Sequence, residues 1–327
     1  MTDKEYFKDT KYVSNSMLGW LKTSPQYYYR KLNSTDDDDE KSYLKFGTAV
    51  HHYLLENDTF SDNYIVSENK KPSNTIQNKF CNLLIASQAI NDNSLLYAYK
   101  MSYSVSKKKD EDILINAKRL YEENKDYVDF ERNRGSKIAL NKFEYDKIIS
   151  ISNNIKKNKY INEMLFSVPK NGVAYNEKII LFKLDGIDTK AKIDRFVIDF
   201  DNKTIKLIDL KTFASKFENE NHKEKFRKSF ESFGYGRQLS FYNFAITQFL
   251  INEYPDINFD EFKFESIIIA AKSNFDNEVR MYLIEEDVIL RNISIIIELL
   301  GELKFYREYG YDMTLEAYNN NGLEKLL

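Results

Sequence analysis

Cysteine is nearly missing from this chain: Cys81 is the single thiol in 327 residues. One cysteine closes no internal disulfide, and with only three histidines no Cys/His cluster offers a zinc or iron–sulfur site. Proline (4) and glycine (10) are scarce, which argues against long linkers and low-complexity arrays. The opening MTDKEYFKDT lacks an apolar signal segment, and the longest apolar runs, such as Ser266 to Ala271, are far too short to span a bilayer. Together these absences predict a reducing, cytoplasmic protein with no membrane partner. Excess charge of one sign is missing too. The net charge is −3, so no basic total draws the chain to nucleic acid. Totals mix acidic centres with local basic surface, however, and the local field is what steers a ligand.

What is present suits a folded domain. Hydrophobic residues make up 42% and charged residues 30%, enough for one large domain or two modest ones. The 23 Phe and 24 Tyr are mostly core material, with some to spare for stacking. The acidic run Asp36–Asp37–Asp38–Asp39–Glu40 reads as a solvated loop between two helices rather than a metal site.

Residues 1–166 read as mostly helical. Serines 14 and 16 precede a periodic stretch with Leu18, Trp20 and Leu21, and Ser24-Pro25 either breaks that helix or opens a second one through Tyr27–Leu32. Residues 43–56 repeat Phe46, Val50, Tyr53 and Leu54 at helical spacing. Asp110–Glu123 and Lys142–Lys157 are the clearest amphipathic stretches of the remainder. The pattern changes near Val173, where 174–184, 187–200 and 203–212 read as strands parted by Asp185-Gly186 and Asp201-Asn202. A helix at about 235–252, strands at about 263–272 and 278–284, and a helix at about 286–308 follow. The order implies an α/β or α+β domain with a helical N-terminal elaboration.

The three strands carry the sharpest inference. If Asp185-Gly186 is a two-residue turn, Leu184 pairs with Ile187 and, counting outward, Glu177 faces Asp194. If Asp201-Asn202 is another, Phe200 pairs with Lys203 and Asp194 faces Asp209. Opposed side chains sit roughly 4.5–5.5 Å apart at Cβ, so three carboxylates in a row repel one another. Protonation, a basic neighbour or a cation must relieve them, and a hard cation such as Mg²⁺ or Mn²⁺ fits oxygen ligands best. Lys211 lies two residues beyond Asp209, on the same strand face. An ammonium there could hold or deprotonate an attacking water, or stabilise negative charge developing on phosphorus.

These residues also carry a resemblance. Ile193-Asp194-Arg195 and Ile208-Asp209-Leu210-Lys211-Thr212 resemble the core of the PD-(D/E)xK nucleases, most of all the RecB-like and exonuclease VIII (RecE)-like branch of bacteria and phages. Residues 46–51, FGTAVH, are similar to that branch's helix with a metal-ligating histidine, and 238–242, QLSFY, to its Gln-x-x-x-Tyr motif. The likeness touches about residues 14–56 and 174–245, with a long helical stretch between that departs from the usual layout and leaves substrate access open. It implies a single nuclease domain over 1–327, with a restriction-endonuclease-like mixed sheet flanked by helices. Residues 1–166 would carry the His51 motif and 167–327 the catalytic sheet. It further implies that His51, Asp194, Asp209 and the carbonyl of Leu210 bind Mg²⁺ or Mn²⁺, and that Lys211 is the catalytic lysine. The expected activity is resection of linear double-stranded DNA for recombination or repair, with a single-strand annealing protein as natural partner and a homo-oligomer left open.

The remaining residues are weighed against plainer roles. Gly47 could let its helix approach the sheet, which favours His51 over the adjacent His52 as ligand; His52 and His222 read as structural or surface. Gln238 and Tyr242 share a helix face and either pack or contact DNA. Arg237 is a lesser phosphate-contact candidate. Lys223, Lys225, Arg227 and Lys228 form a basic cluster that either faces solvent or tracks a DNA backbone. Of Tyr27–Tyr29, one or two belong in the core and the rest could stack on bases. The rivals are a CRISPR-associated RecB-like nuclease, a catalytically inactive DNA-binding or assembly module on the same fold, and a protein with no nucleic-acid role. One cysteine speaks against the first and the full carboxylate–lysine set against the second.

Overall fold

The computed structural model of the protein describes residues 1–34, 42–69, 71–105 and 108–325. The acidic run of residues 36–40, expected as a loop, lies outside them. The chain divides into two compact units, one of residues 1–56 with 150–327 and one of residues 57–149.

Four helices open the chain: α1 (Asp3–Lys8), α2 (Asn15–Thr23), α3 (Pro25–Asn33) and α4 (Ser42–Leu55). The second unit follows with α5 (Asn57–Asn63), β1 (Tyr64–Ser67), α6 (Thr75–Ala86), α7 (Asp92–Ser102), α8 (Asp110–Asn133) and β2 (Ile138–Asn141). The unit boundary falls within α9 (Lys142–Lys157), and α10 (Lys159–Phe166) leads to the main strands. These are β3 (Gly172–Leu184), β4 (Ile187–Asp199) and β5 (Thr204–Phe213). Then come α11 (His222–Phe233), α12 (Tyr235–Glu253), β6 (Lys263–Lys272), β7 (Val279–Ile284), α13 (Glu286–Tyr309) and α14 (Leu315–Asn319).

Local chemistry explains the helix boundaries. The Ser14 hydroxyl accepts the Met17 N–H at 3.3 Å and starts α2. Ser24 ends α2 and caps α3 by accepting the Tyr27 N–H at 3.0 Å, with Pro25 in the first turn where its missing N–H costs nothing. The Ser24-Pro25 pair therefore does both things the sequence left open. Gly234, at φ 66°, turns α11 into α12 in a left-handed conformation that suits glycine.

The second unit gathers α6, α7 and α8 around Phe80, Cys81, Leu84, Leu95, Ala98 and Ala117. Its two strands pair in parallel, Tyr64 to Ile138 through Ser67 to Asn141. They escaped sequence reading because four-residue strands embedded in helical sequence carry too little alternation to register.

The first unit is built on one mixed sheet in the order β3-β4-β5-β6-β7. The pairs β3–β4, β4–β5 and β6–β7 are antiparallel, and β5–β6 is parallel. Asp185 (φ 48°) and Gly186 (φ 76°) both take positive φ, as a type I′ turn requires, and Leu184 pairs with Ile187 as expected. The next connection differs from expectation. Strand β4 ends at Asp199 and β5 starts at Thr204, so residues 200–203 form a four-residue loop. The Asp199 carboxylate tightens it by accepting the Asn202 N–H at 3.0 Å. Two extra residues leave the ladder symmetrically, so the inferred register survives. Helices α12 and α13 cover the sheet, with Leu239, Phe241, Ala245, Ile296, Leu300 and Leu303 in a core shared with Phe196, Ile198 and Leu207.

Candidate metal and active site

The sheet is irregular where the carboxylates lie. Pairing between β3 and β4 runs from Gly172 to Asn176 and resumes at Lys178, omitting Glu177. Glu177 sits at φ 46°, a left-handed conformation that costs a non-glycine residue about 1–3 kcal/mol and clusters at functional sites. The kink reverses the side-chain alternation of β3. Val173 and Tyr175 before it and Ile180 and Phe182 after it all reach the same core. Between β4 and β5 the ladder stops at Arg195↔Ile208, one step short of Asp194 and Asp209. There the Asp194 Oδ2 atom accepts the Leu210 N–H at 2.8 Å. A side-chain carboxylate thus stands in for a ladder acceptor and parts the two strands. The register sets the three carboxylates opposite one another as read from sequence, and the sheet opens at that row.

Helix α4 brings the histidine. A Cβ on Gly47 would lie 3.2 Å from Thr212 Oγ1, tighter than an ordinary contact, so glycine permits the helix its approach to β5. One turn later His51 Nδ1 lies 3.5 Å from Asp194 Oδ2 and 3.8 Å from Glu177 Oε1. Ligand atoms of His51, Glu177 and Asp194 all fall within 4.8 Å of one another; His52 and Asp209 are outside that group. Asp209 pairs instead with Lys211, whose Nζ is 2.7 Å from Oδ2 and 5.1 Å from the Tyr235 ring centre. From α12, Gln238 Nε2 donates to Tyr242 Oη at 2.7 Å. Burial, with the field of Asp194 and Asp209 added to it, pushes the Tyr242 hydroxyl well above the ordinary tyrosine range.

The charges of the site act on one another at close range. Burial works against ionised Asp194, but His51 and Lys211 and the Leu210 N–H outweigh it and hold the carboxyl below its usual range. Burial pushes Asp209 up, helped by Asp194, and Lys211 only partly reverses this. Burial would lower His51, yet Asp194 and Glu177 overcome it and raise the imidazole to about 10. Lys211 stays charged against its own burial because both aspartates face it.

A hard divalent cation fits these donors. Glu177 Oε1 and Asp209 Oδ1 are buried without a hydrogen bond, a costly state that a cation would relieve, whereas Asp209 Oδ2 has the Lys211 ammonium. One imidazole nitrogen with carboxylate oxygens is a donor set such ions accept. His51, Glu177 and Asp194 are placed to hold one, with Asp209 and Lys211 beside them. Leu210, whose carbonyl is the expected ligand, also gives its N–H to Asp194.

Sequence reading missed Lys192. Its Nζ lies 3.0 Å from Glu177 Oε2. The signal was available, because the register that opposes Asp194 and Asp209 also opposes Lys192 and Lys211. Other candidates settle into plainer places. Arg237 is buried, its Nε donating to Asn15 Oδ1 at 2.9 Å, so it ties α12 to α2 rather than reaching outward. His222 is buried and shares a 2.8 Å hydrogen bond with Tyr282 Oη. Tyr28 is core and stacks on Tyr311, while Tyr29 is exposed. Lys223, Arg227 and Lys228 stand exposed on α11, with Lys225 half-buried.

Comparison with known proteins bears on the family and the fold. The model of a family described as "PDDEXK-like domain of unknown function (DUF3799)" matches residues 14–308. The chain belongs to that family. The PDDEXK-like match bears out the superfamily resemblance and the expected mixed sheet flanked by helices. The fold recurs in the crystal structure of a Eubacterium rectale protein provisionally named an exonuclease. The TM-score is 0.51 and the identity 13%, covering 100% of this chain and 96% of the other. No curated protein matches. Among the described residues of this PDDEXK-like chain, no helix is long and apolar enough to cross a membrane.

Proposed function

We propose that this PDDEXK-like protein is a divalent-metal-dependent deoxyribonuclease that degrades linear double-stranded DNA from its ends. One observation carries the reading: a buried, partly unsatisfied carboxylate cluster, with a histidine on one side and a charged lysine on the other, at the point where the sheet opens. When bound, Mg²⁺ or Mn²⁺ supplies Lewis-acid polarisation of a phosphodiester. His51, Glu177 and Asp194 hold the cation. Lys211 keeps its proton and stabilises charge that develops on the phosphate oxygens, while Asp209 fixes the ammonium in place. Gln238 and Tyr242 orient one another beside the carboxylates and bind or position the DNA backbone. Action from ends follows the printed name of the E. rectale neighbour and the exonuclease VIII-like motifs, so it rests on analogy.

The test compares linear duplex, closed circular duplex and single strands, each with Mg²⁺, Mn²⁺ or chelator. Linear duplex should be consumed and circles spared, with all activity lost in chelator. Rapid cutting of circles would move the protein to an endonuclease, and activity unchanged in chelator would remove the metal from the mechanism.

A further inference from the structure

Lys192 has two carboxylate partners, and only one belongs to the metal site. On its inner side it meets Glu177; on its outer side its Nζ lies 2.5 Å from Asp3 Oδ2, on α1. The lysine side chain is 14% exposed and Asp3 is 56% exposed. Two residues before Asp194, it lies beside the metal site.

Helix α1 is anchored there by dedicated contacts. The nearly buried Lys190 donates to the carbonyls of Tyr6 and Asp9 at 2.5 Å each. It also lies 4.8 Å from the centre of the Tyr6 ring. Such carbonyls, at the end of α1, lack helical partners, so the ammonium satisfies the helix terminus as well as its own burial. The chain then runs to Val13, which bridges β4 in parallel. Val13 N–H donates to Asp188 O, and Lys190 N–H donates to Val13 O, both at 2.9 Å. That bridge uses the stretch of β4 that β5 leaves unpaired. The segment from Asp3 to Val13 therefore lies along β4 at the opened part of the sheet.

We propose that Lys192 is a DNA-phosphate contact of this site and that α1 is a strap that brings one carboxylate to it, with Asp3 occupying the phosphate position until DNA displaces it. The proposal rests on the nuclease reading above. Glu177 is committed to the metal, which leaves the outer side of Lys192 for a second anion. Asp3 fills it through an exposed ion pair, a class of contact that is individually weak and readily exchanged. A DNA phosphate brings the same charge and also releases condensed counterions as it binds, so it can win the exchange.

Binding of a fluorescein-labelled duplex, followed by anisotropy in chelator so that none is cut, tests the exchange. Asp3→Asn should tighten binding about two- to five-fold. Lys192→Gln should weaken it about ten-fold and lower the salt slope by about one. In the Lys192→Gln background, Asp3→Asn should then change nothing, while Lys192→Arg should restore most of the affinity. With Mn²⁺ present, the same changes should fall on KM. No tightening in Asp3→Asn, or tightening that persists without Lys192, overturns the strap while a protein that still cuts DNA keeps its function. If wild-type protein neither binds nor cuts DNA, the nuclease reading fails and takes the strap with it.

Discussion

Metal uptake should release a proton, and His51 should be its source. Flanked by Asp194 and Glu177, the imidazole is raised from an ordinary 6.5 to about 10, so at pH 7 it carries a proton that a metal must displace. Three decades between pH 7 and that value correspond to about 4 kcal/mol, at ~1.4 kcal/mol per decade. The His51 side chain is 22% exposed, however, and solvent screens its pairs, so we expect about one to two decades of lost affinity at pH 7. Mn²⁺ affinity should rise up to about ten-fold per pH unit from pH 6.5 to 8.5, with about one proton released per ion. Calorimetry in two buffers of different ionisation enthalpy measures both. His51→Ala should flatten the slope and abolish the release. Proton-free binding with an affinity flat across that range would refute the assignment. The metal-free protein supplies a control of opposite sign. A pKa raised on folding contributes stability that is complete below about 6.5 and lost as pH climbs through about 10. The thermal gap between wild type and His51→Ala should therefore be widest near pH 6 and close at high pH.

Gly47→Leu should push α4 off β5 and displace His51, cutting metal-dependent turnover about 100-fold while circular dichroism stays native-like. Turnover close to wild type would mean the close approach does not position the histidine. Arg237→Ala should cost about 2–4 kcal/mol in urea unfolding, because it removes a buried stem and orphans Asn15. DNA affinity per folded molecule should hold, and a large loss there would restore Arg237 as a phosphate contact. Lys211→Ala should lower kcat at least about 1,000-fold with little change in metal affinity, read by single-turnover cleavage and Mn²⁺ titration. Equal loss of both would make Lys211 a prop for Asp209 instead.

The sheet was legible because it announces itself locally. Asp185-Gly186 demands positive φ at both positions, and one such turn fixes the partner of every residue on two strands. The second turn was misjudged, but a loop lengthened by one residue on each side leaves the register untouched. What no register argument reveals is that the ladder opens at the row it aligns. That depends on Asp194 reaching for the Leu210 N–H and on Glu177 accepting a left-handed backbone. Glu177 was read as part of the row, but its place beside His51, with Asp209 set apart, depends on how far α4 settles against Thr212. Lys190 and α1 went unread because their partners are backbone carbonyls near the start of the sequence, which leave no spacing to recognise, whereas Lys192 was within reach of the same register that aligns Asp194 with Asp209.

The division of the chain also bears on how the protein comes together. His51 is made before the whole of residues 57–149, whereas Glu177 and Asp194 come after them. Closing that long loop costs entropy before any contact across it rewards the chain. A cation bridging the three residues would act as a clasp, joining the helices ahead of residue 57 to the sheet that follows residue 149. Unfolding in chelator should then begin with the release of the segment ahead of residue 57, and added metal should slow that first step more than any later one.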